Sequence, residues 1–232
     1  MTDYRPRIPL RIYTADKVLI GEFGEERRNV MPFNEIPDVM KSALLAAEDD
    51  RFYQHGGIDL RGVARAGITN MLSMRKSQGA STITMQLVKN VFLNRNKNIA
   101  RKLEEALIVW LIETERLTSK ERMYEVYLNI VEWGPLVYGV QEAATYYFKK
   151  RPSQLTAEES IFLASIIPKP KHFRNSFNND MQLKESLEGY YRLITERLVK
   201  KGIISEVAAD SIRPEINVTG EAKKDLQRDS IQ

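Results

Sequence analysis

From Pro37 onward the chain cuts itself into short helices, and this punctuation limits its fold more than any other feature. Pro37 suits a first helical turn, and Met40, Leu44 and Ala47 follow at helical spacing as far as Glu48. Gly56 and Gly57 break the chain. Asp59 can then cap a helix through Gly62–Met74, before a polar loop over Arg75–Gly79. Arg101–Leu117 reads as a strong helix, apolar nearly all round from Ala106 to Ile112 and therefore central. Thr118–Glu121 and Thr156–Glu159 each place a threonine three residues before a glutamate, the pattern of a capping box. They open helices that run to about Ile130 and through Ser160–Ile167. Trp133–Leu136 reads as a turn and Tyr138–Lys149 as a helix. Pro168 and Pro170 stop the preceding helix, and Asn178–Asp180 begins a long one that Gly202 ends after about Lys201. Strand signals are confined to Pro9–Phe23, a hairpin whose arms Leu10–Tyr13 and Val18–Phe23 flank a turn at Thr14–Lys17. Beyond Pro214 the tail, residues 215–232, is polar and expected to be disordered. The expected fold is mainly α with a short N-terminal β-hairpin, one domain over residues 1–232.

Composition narrows the chemistry. The 232 residues include no cysteine, which removes disulfides, thiolate metal sites and a cysteine nucleophile. His55 and His172 are the only two histidines, so a multi-histidine metal site is excluded. The longest uninterrupted apolar run, Ala106–Ile112, is far short of the roughly 20 residues that span a bilayer. No apolar stretch follows the N-terminal Met1–Arg7, so neither a signal peptide nor a membrane anchor is expected in this chain. A net charge of +4 suits an anionic ligand or membrane surface without demanding one.

Four clusters could carry chemistry. In Glu48–Gly57, Glu48 falls on the apolar face of its helix and at the C-terminal end. Desolvation and the negative end of the helix dipole both push a carboxyl there towards neutrality, as a general acid or base near pH 7 requires. The alternative is a fraying helix end with Glu48, Asp49 and Asp50 all solvated. Within Gly79–Asn90, Ser81, Thr82 and Gln86 lie in a segment that reads either as a strand by alternation or as a helix capped by Ser81 or Thr82. In the second case its free amides would face an anion. Lys89, Lys97, Arg101 and Lys102 add cations suited to a phosphate or pyrophosphate, or else form a solvated basic face. Arg101 and Glu105 are four apart, which a plain helical ion pair explains as well as a second functional carboxylate does. Glu125–Asn129 lies in an amphipathic helix whose Met123, Val126, Tyr127 and Ile130 suit core packing.

Taken together these clusters resemble glycosyltransferase family 51, the peptidoglycan glycosyltransferases. The pattern Glu-Asp-x-x-Phe-x-x-His-x-Gly is met by Glu48, Asp49, Phe52, His55 and Gly57. Gly-x-Ser-Thr-Ile-Thr-x-Gln-x-x-Lys-Asn is met from Gly79 to Asn90, and Arg-Lys-x-x-Glu by Arg101, Lys102 and Glu105. Glu-x-Tyr-Leu-Asn is met by Glu125, Tyr127, Leu128 and Asn129. The resemblance covers about Ile8 to Lys201. Met85 departs from it where the family has a glutamine, and Lys97 where many members have an arginine. The family's final Arg-rich helix is matched only loosely around Arg192–Gly202.

The resemblance implies a lysozyme-like, two-lobed fold of head and jaw. It implies an enzyme that polymerises lipid II into β-1,4-linked glycan with inversion, releasing undecaprenyl pyrophosphate. Glu48 would be the general base and Glu105 the second catalytic carboxylate. Asp49, His55, Ser81, Thr82, Gln86, Asn90, Glu125 and Asn129 would contact substrate, and Lys89, Lys97, Arg101 and Lys102 would neutralise the pyrophosphate. It implies a divalent cation, Mg²⁺ or Mn²⁺, with unassigned ligands, and no organic cofactor. The expected partners are lipid II, the growing glycan, the membrane surface and inhibitors of the moenomycin type, with no nucleic acid. Met71, Leu72, Met74 and Val91–Leu93 could enter the bilayer. The expected location is the outer face of the bacterial cytoplasmic membrane, in a chain without its anchor. Ser73-x-x-Lys76 and Ser176-x-Asn178 mimic transpeptidase motifs, but no Lys-Thr-Gly follows. Two rivals stand: a lytic muramidase using Glu48 as general acid, and a non-catalytic basic module for anionic lipid or nucleic acid.

Overall fold

The computed structural model describes residues 10–13, 16, 19–23, 27–64, 81–93 and 99–228. They divide into two compact units, one of Glu48–Tyr127 and the other of Arg5–Ala47 with Leu128–Gln232. The protein is mainly helical, as expected. Strand β1 (Leu10–Tyr13) pairs antiparallel with β2 (Leu19–Phe23), Leu10 opposite Phe23, which is the expected hairpin. A small second sheet escaped the sequence. In it β3 (Arg27–Arg28) runs parallel to β5 (Val137–Tyr138), and β5 runs antiparallel to β4 (Glu132–Gly134). The turn read at Trp133–Leu136 is the tip of that β4–β5 hairpin. Strands of two or three residues are too short to leave an alternation signal.

The unit Glu48–Tyr127 holds α2 (Ile83–Phe92), α3 (Ile99–Thr114) and the first part of α4 (Lys120–Ile130). Of the open alternatives at Gly79–Asn90, the helix is the one formed. Thr82 is its N-cap, accepting from the Met85 amide at 3.2 Å. Helix α2 packs against α3. Helix α3 is not central, contrary to expectation. Val109 and Ile112 are buried, but Leu103, Leu107 and Trp110 are 68%, 63% and 55% exposed, and Leu111 is exposed as well. These four lie at i, i+4, i+7 and i+8, so they form one apolar ridge along a single face. The cap of α4 is Ser119, which accepts from Arg122, one residue later than the threonine expected. The helix expected over Gly62–Met74 is described only to residue 64, and the loop Arg75–Gly79 lies outside the described residues, as do Met71, Leu72 and Met74.

The other unit carries α1 (Asp38–Glu48) up to Ala47, α5 (Val140–Phe148), α6 (Ala157–Ile166), α7 (Glu188–Lys200), α8 (Glu206–Ala209) and α9 (Glu221–Arg228). The capping box at Thr156 and Glu159 forms with both of its bonds, 3.2 and 3.0 Å. Helix α6 is buried along its length, with Ile161, Phe162, Leu163 and Ala164 fully enclosed. Tyr147 meets Phe162 and Phe173 edge-on at 5.4 and 5.2 Å between ring centres, and its hydroxyl donates to the Trp133 carbonyl at 2.7 Å. The Arg197 guanidinium donates to the Ala46 carbonyl, a cation at the C-terminal end of α1 where the dipole favours one. Helix α7 starts ten residues later than Asn178, because Asn178 Oδ1 accepts from the amides of Asp180 and Gln182 and folds that stretch into a tight turn. Among the described residues no helix is long and apolar enough to cross a membrane.

The tail is ordered through Arg228, which corrects the expectation of disorder beyond Pro214. Thr219 donates to the Phe148 carbonyl at 2.7 Å and Tyr146 to Asp225, while Val218, Ala222 and Leu226 are buried and α9 packs on α5. The tail's high polarity concealed an apolar pair four residues apart. Leu226→Ala is therefore expected to cost about 2 kcal/mol and to raise amide exchange across α9. An unchanged denaturation midpoint with fast exchange in the parent would instead describe a frayed tail.

Candidate functional site

The site begins where α1 ends. Asp49 follows Glu48, and its side chain is almost wholly buried between two partners. Oδ2 accepts from the Ile83 amide at the start of α2 at 3.1 Å, and Oδ1 lies 2.8 Å from His55 Nε2. His55 Nδ1 is buried with no partner. This arrangement suits the tautomer that carries its proton on Nε2, since an unpaired acceptor costs less than an unpaired N–H. The start of α2 is thus held by Thr82 on one amide and Asp49 on another, so those two amides are spent within the protein and not left for an anion. Thr82 also donates to the Gly57 carbonyl at 2.5 Å. Gly57 has φ of +82°, and a Cβ there would stand 2.5 Å from Val109 Cγ1 and 2.8 Å from Glu113 Cγ. Only glycine meets both demands.

Glu48 is joined to α2 by a hydrogen-bonded relay. Gln86 Nε2 donates to Glu48 Oε2 at 2.7 Å, and Tyr127 from α4 donates its hydroxyl to Gln86 Oε1 at 2.9 Å. Burial pushes the Glu48 carboxyl above its ordinary range. The Gln86 bond pulls it back, the neighbouring Asp49 charge pushes it up, and Lys89 pulls it down. Burial also drives the Tyr127 phenol far up, with the Glu48 and Asp49 charges adding to the effect. Lys89 and Asn90 lie three and four residues after Gln86, on the same side of α2, and both are exposed. A carboxylate poised by opposing forces next to a solvent-facing cation can exchange a proton with a ligand and meet its negative charge.

The remaining candidates fall into separate places. Glu105 is 1% exposed and accepts from Lys102 at 2.5 Å, a pair at i, i+3. Ser81 is exposed, just ahead of the α2 cap. Glu125 pairs with Arg122 along α4 at 2.6 Å. Lys97 and the Arg101 side chain lie outside the described residues. Asn129, expected to contact substrate, belongs to the other unit and is tied there to Met31. It is buried, and its amide takes the Met31 N–H at 2.8 Å and donates to the Met31 carbonyl at 2.9 Å. Gln86, expected to hold substrate, has its amide engaged by Glu48 and Tyr127.

Sequence reasoning missed Tyr127, which looked like core, and Glu113. The latter is a buried carboxylate that accepts from Thr84 Oγ1 at 2.7 Å and from Lys120 Nζ at 2.6 Å, while Lys120 lies over the Phe52 ring. No motif marked Glu113, and its partners stand 29 and 7 residues away.

A family model described as transglycosylase matches residues 16–197. The chain belongs to the transglycosylase family. Penicillin-binding protein 1A of Neisseria lactamica is 41% identical over 175 residues, 75% of this chain and 22% of its own length. Penicillin-binding protein 1A of Escherichia coli K12 is 36% identical over 215 residues, 93% of this chain and 24% of its own. The chain therefore spans less than a quarter of these relatives. A crystal structure of penicillin-binding protein 1A from Haemophilus influenzae aligns with 97% of this transglycosylase chain and 24% of its own, at TM-score 0.47 and 22% identity.

The resemblance implies a divalent cation, which would need several oxygen donors gathered at one place. Among the described residues no three His, Asp or Glu side chains gather as a metal would require, and Glu105 already holds Lys102. The described side chains do not make a metal site of their own.

Replacing Gln86 tests the relay. Gln86→Met removes the donor that favours the charged carboxylate, so the Glu48 titration midpoint is expected to move up. Titration of ¹³C-carboxyl-labelled glutamate by NMR reads it, and a midpoint that stays or falls contradicts the arrangement.

Proposed function

We propose that this chain is a peptidoglycan glycosyltransferase that extends a glycan donor by one lipid II at a time. The observation that carries this is the state of Glu48: a largely buried carboxylate, held by one amide donor and set beside the cation of Lys89. Glu48 takes the proton of the acceptor's 4-hydroxyl as that oxygen forms its bond to the donor anomeric carbon. The bond from that carbon to pyrophosphate breaks, its electron pair leaves with undecaprenyl pyrophosphate, and the configuration inverts to β. Lys89, Lys97, Arg101 and Lys102 meet the charge that builds on the leaving group, the contribution that is commonly the largest in such catalysis. Glu105 is the second carboxylate, held ready by Lys102. Ser81 and Asn90 contact donor sugar and phosphate. Asp49, His55 and Thr82 act on substrate through the start of α2. A divalent cation, Mg²⁺ or Mn²⁺, would come with the substrate's pyrophosphate and offset its charge, since Mg²⁺ binds readily to phosphates while keeping most of its water.

A membrane partner is supported by the ridge on α3. Leu103, Leu107, Trp110 and Leu111 expose a continuous apolar face, and Phe92 is also exposed. A bilayer is the natural cover for such a face in an enzyme whose substrate is a lipid, which would place it on the outer face of the bacterial cytoplasmic membrane. Of the two tryptophans, Trp133 is fully buried and Trp110 half exposed. Vesicles of phosphatidylglycerol and phosphatidylethanolamine should therefore shift the protein's emission to the blue through Trp110 alone. A spectrum that does not move, or that moves equally in Trp110→Ser, counts against the ridge as the contact.

Glycan length is the deciding measurement for the activity. Labelled lipid II with Mg²⁺ and detergent should yield a ladder of long products from the parent. Glu48→Gln should lose at least 10²–10⁴-fold of that rate with its melting temperature kept. Near-normal synthesis by Glu48→Gln sinks the base assignment. Shortening of added polymer without synthesis would point to the lytic alternative. Moenomycin binding without turnover would point to a binding module.

A further inference from the structure

We propose that Tyr127 is a positioning residue that fixes the direction of the Gln86 amide and so keeps Glu48 in its ionised, proton-accepting form. The inference rests on the reading of Glu48 as the base. The geometry is a relay of two bonds, Tyr127 OH to Gln86 Oε1 and Gln86 Nε2 to Glu48 Oε2. A primary amide has one accepting end and one donating end, so committing one end dictates what the other presents. With Oε1 committed to Tyr127, Gln86 offers Glu48 an N–H, which favours a charged carboxylate over a protonated one.

The reversed amide would present its oxygen to a protonated Glu48 and its NH₂ to the Tyr127 oxygen. The phenolic hydrogen would then need another acceptor in a fully enclosed position, since Tyr127 has no exposure. An unmet buried donor is costly, so the reversed relay is disfavoured. Burial keeps the phenol protonated and hence a donor. The other charged groups act differently. Asp49, joined to His55 and the Ile83 amide, opposes the charge on Glu48, and Lys89 supports it. Both act on the charge itself, whereas Tyr127 acts on which end of the amide faces it. Against the desolvation of Glu48, this directional bond is the largest opposing influence, and Tyr127 is what holds it in that sense.

Tyr127→Phe removes the hydroxyl and little volume. The orphaned Gln86 oxygen is then free to turn and accept a hydrogen bond from a protonated Glu48. The Glu48 midpoint, read by ¹³C NMR and assigned with Glu48→Gln, is expected to rise by about one pH unit or more, with the acid limb of kcat/KM following it. In a Gln86→Met background the same change is expected to add nothing, because the relay is already cut. An unchanged midpoint in Tyr127→Phe overturns the proposal, as does a further rise of equal size in the double variant, which would mean that the hydroxyl acts on Glu48 directly. The titration needs no substrate. A parent that shows the expected shifts yet makes no glycan would overturn the proposed function and leave the assignment of Tyr127 standing.

Discussion

Asp49 joins three pieces of chain that have no other reason to meet: the end of α1, the turn at His55 and the start of α2. Its carboxylate is nearly inaccessible, a placement that is expensive for a charge unless hydrogen bonds replace water. Here an imidazole and a helix-start amide do so, and the positive end of the α2 dipole adds to them. Once α2 is set by this joint, Gln86 stands against Glu48, and Lys89 and Asn90 face outwards beside it. Moving α2 by one turn would take all three away, so the chemistry proposed for Glu48 depends on a neighbour that need never touch a reacting atom.

Glu113 steadies the same helix from the α3 side. Thr84 Oγ1 and Lys120 Nζ share its Oε1, and the close approach at Gly57 leaves no room for it to retreat. A buried carboxylate with a single cation would be a doubtful asset, because desolvation consumes most of the attraction. With a hydroxyl and an ammonium both satisfied, and Lys120 resting on Phe52 as well, its value lies in geometry: it ties α2, α3 and α4 to one point. The other unit is built differently. Its centre is the aromatic cluster of Tyr147, Phe162, Phe173 and Phe177 about α6, where packing and a few hydroxyl-to-carbonyl bonds supply the stability.

Much of this was legible in advance. Helix positions follow from capping residues, prolines and glycines, which act over three or four residues, and so the box at Thr156 and the hairpin β1–β2 stand where the sequence puts them. The motif residues Glu48, Asp49, His55, Thr82 and Gln86 lie in one unit. Errors came where a local pattern had two tertiary outcomes. An apolar face on α3 suited a core or an uncovered ridge, and periodicity cannot tell them apart. The polar tail hid Ala222 and Leu226, which become core only because α5 offers them a surface.

The amino-acid sequence by itself determined the helical punctuation, the absence of thiol chemistry and the set of residues from which a site could be made. Partner choice was decided by the tertiary structure. Gln86 meets Glu48 across 38 residues and Tyr127 across 41, while Asn129 closes on Met31 across 98. Spacing along a chain reports what lies within a turn or two of helix. The direction of a hydrogen bond between distant side chains is a property of the folded packing, and here it sets the Gln86 amide against the carboxylate of the proposed base.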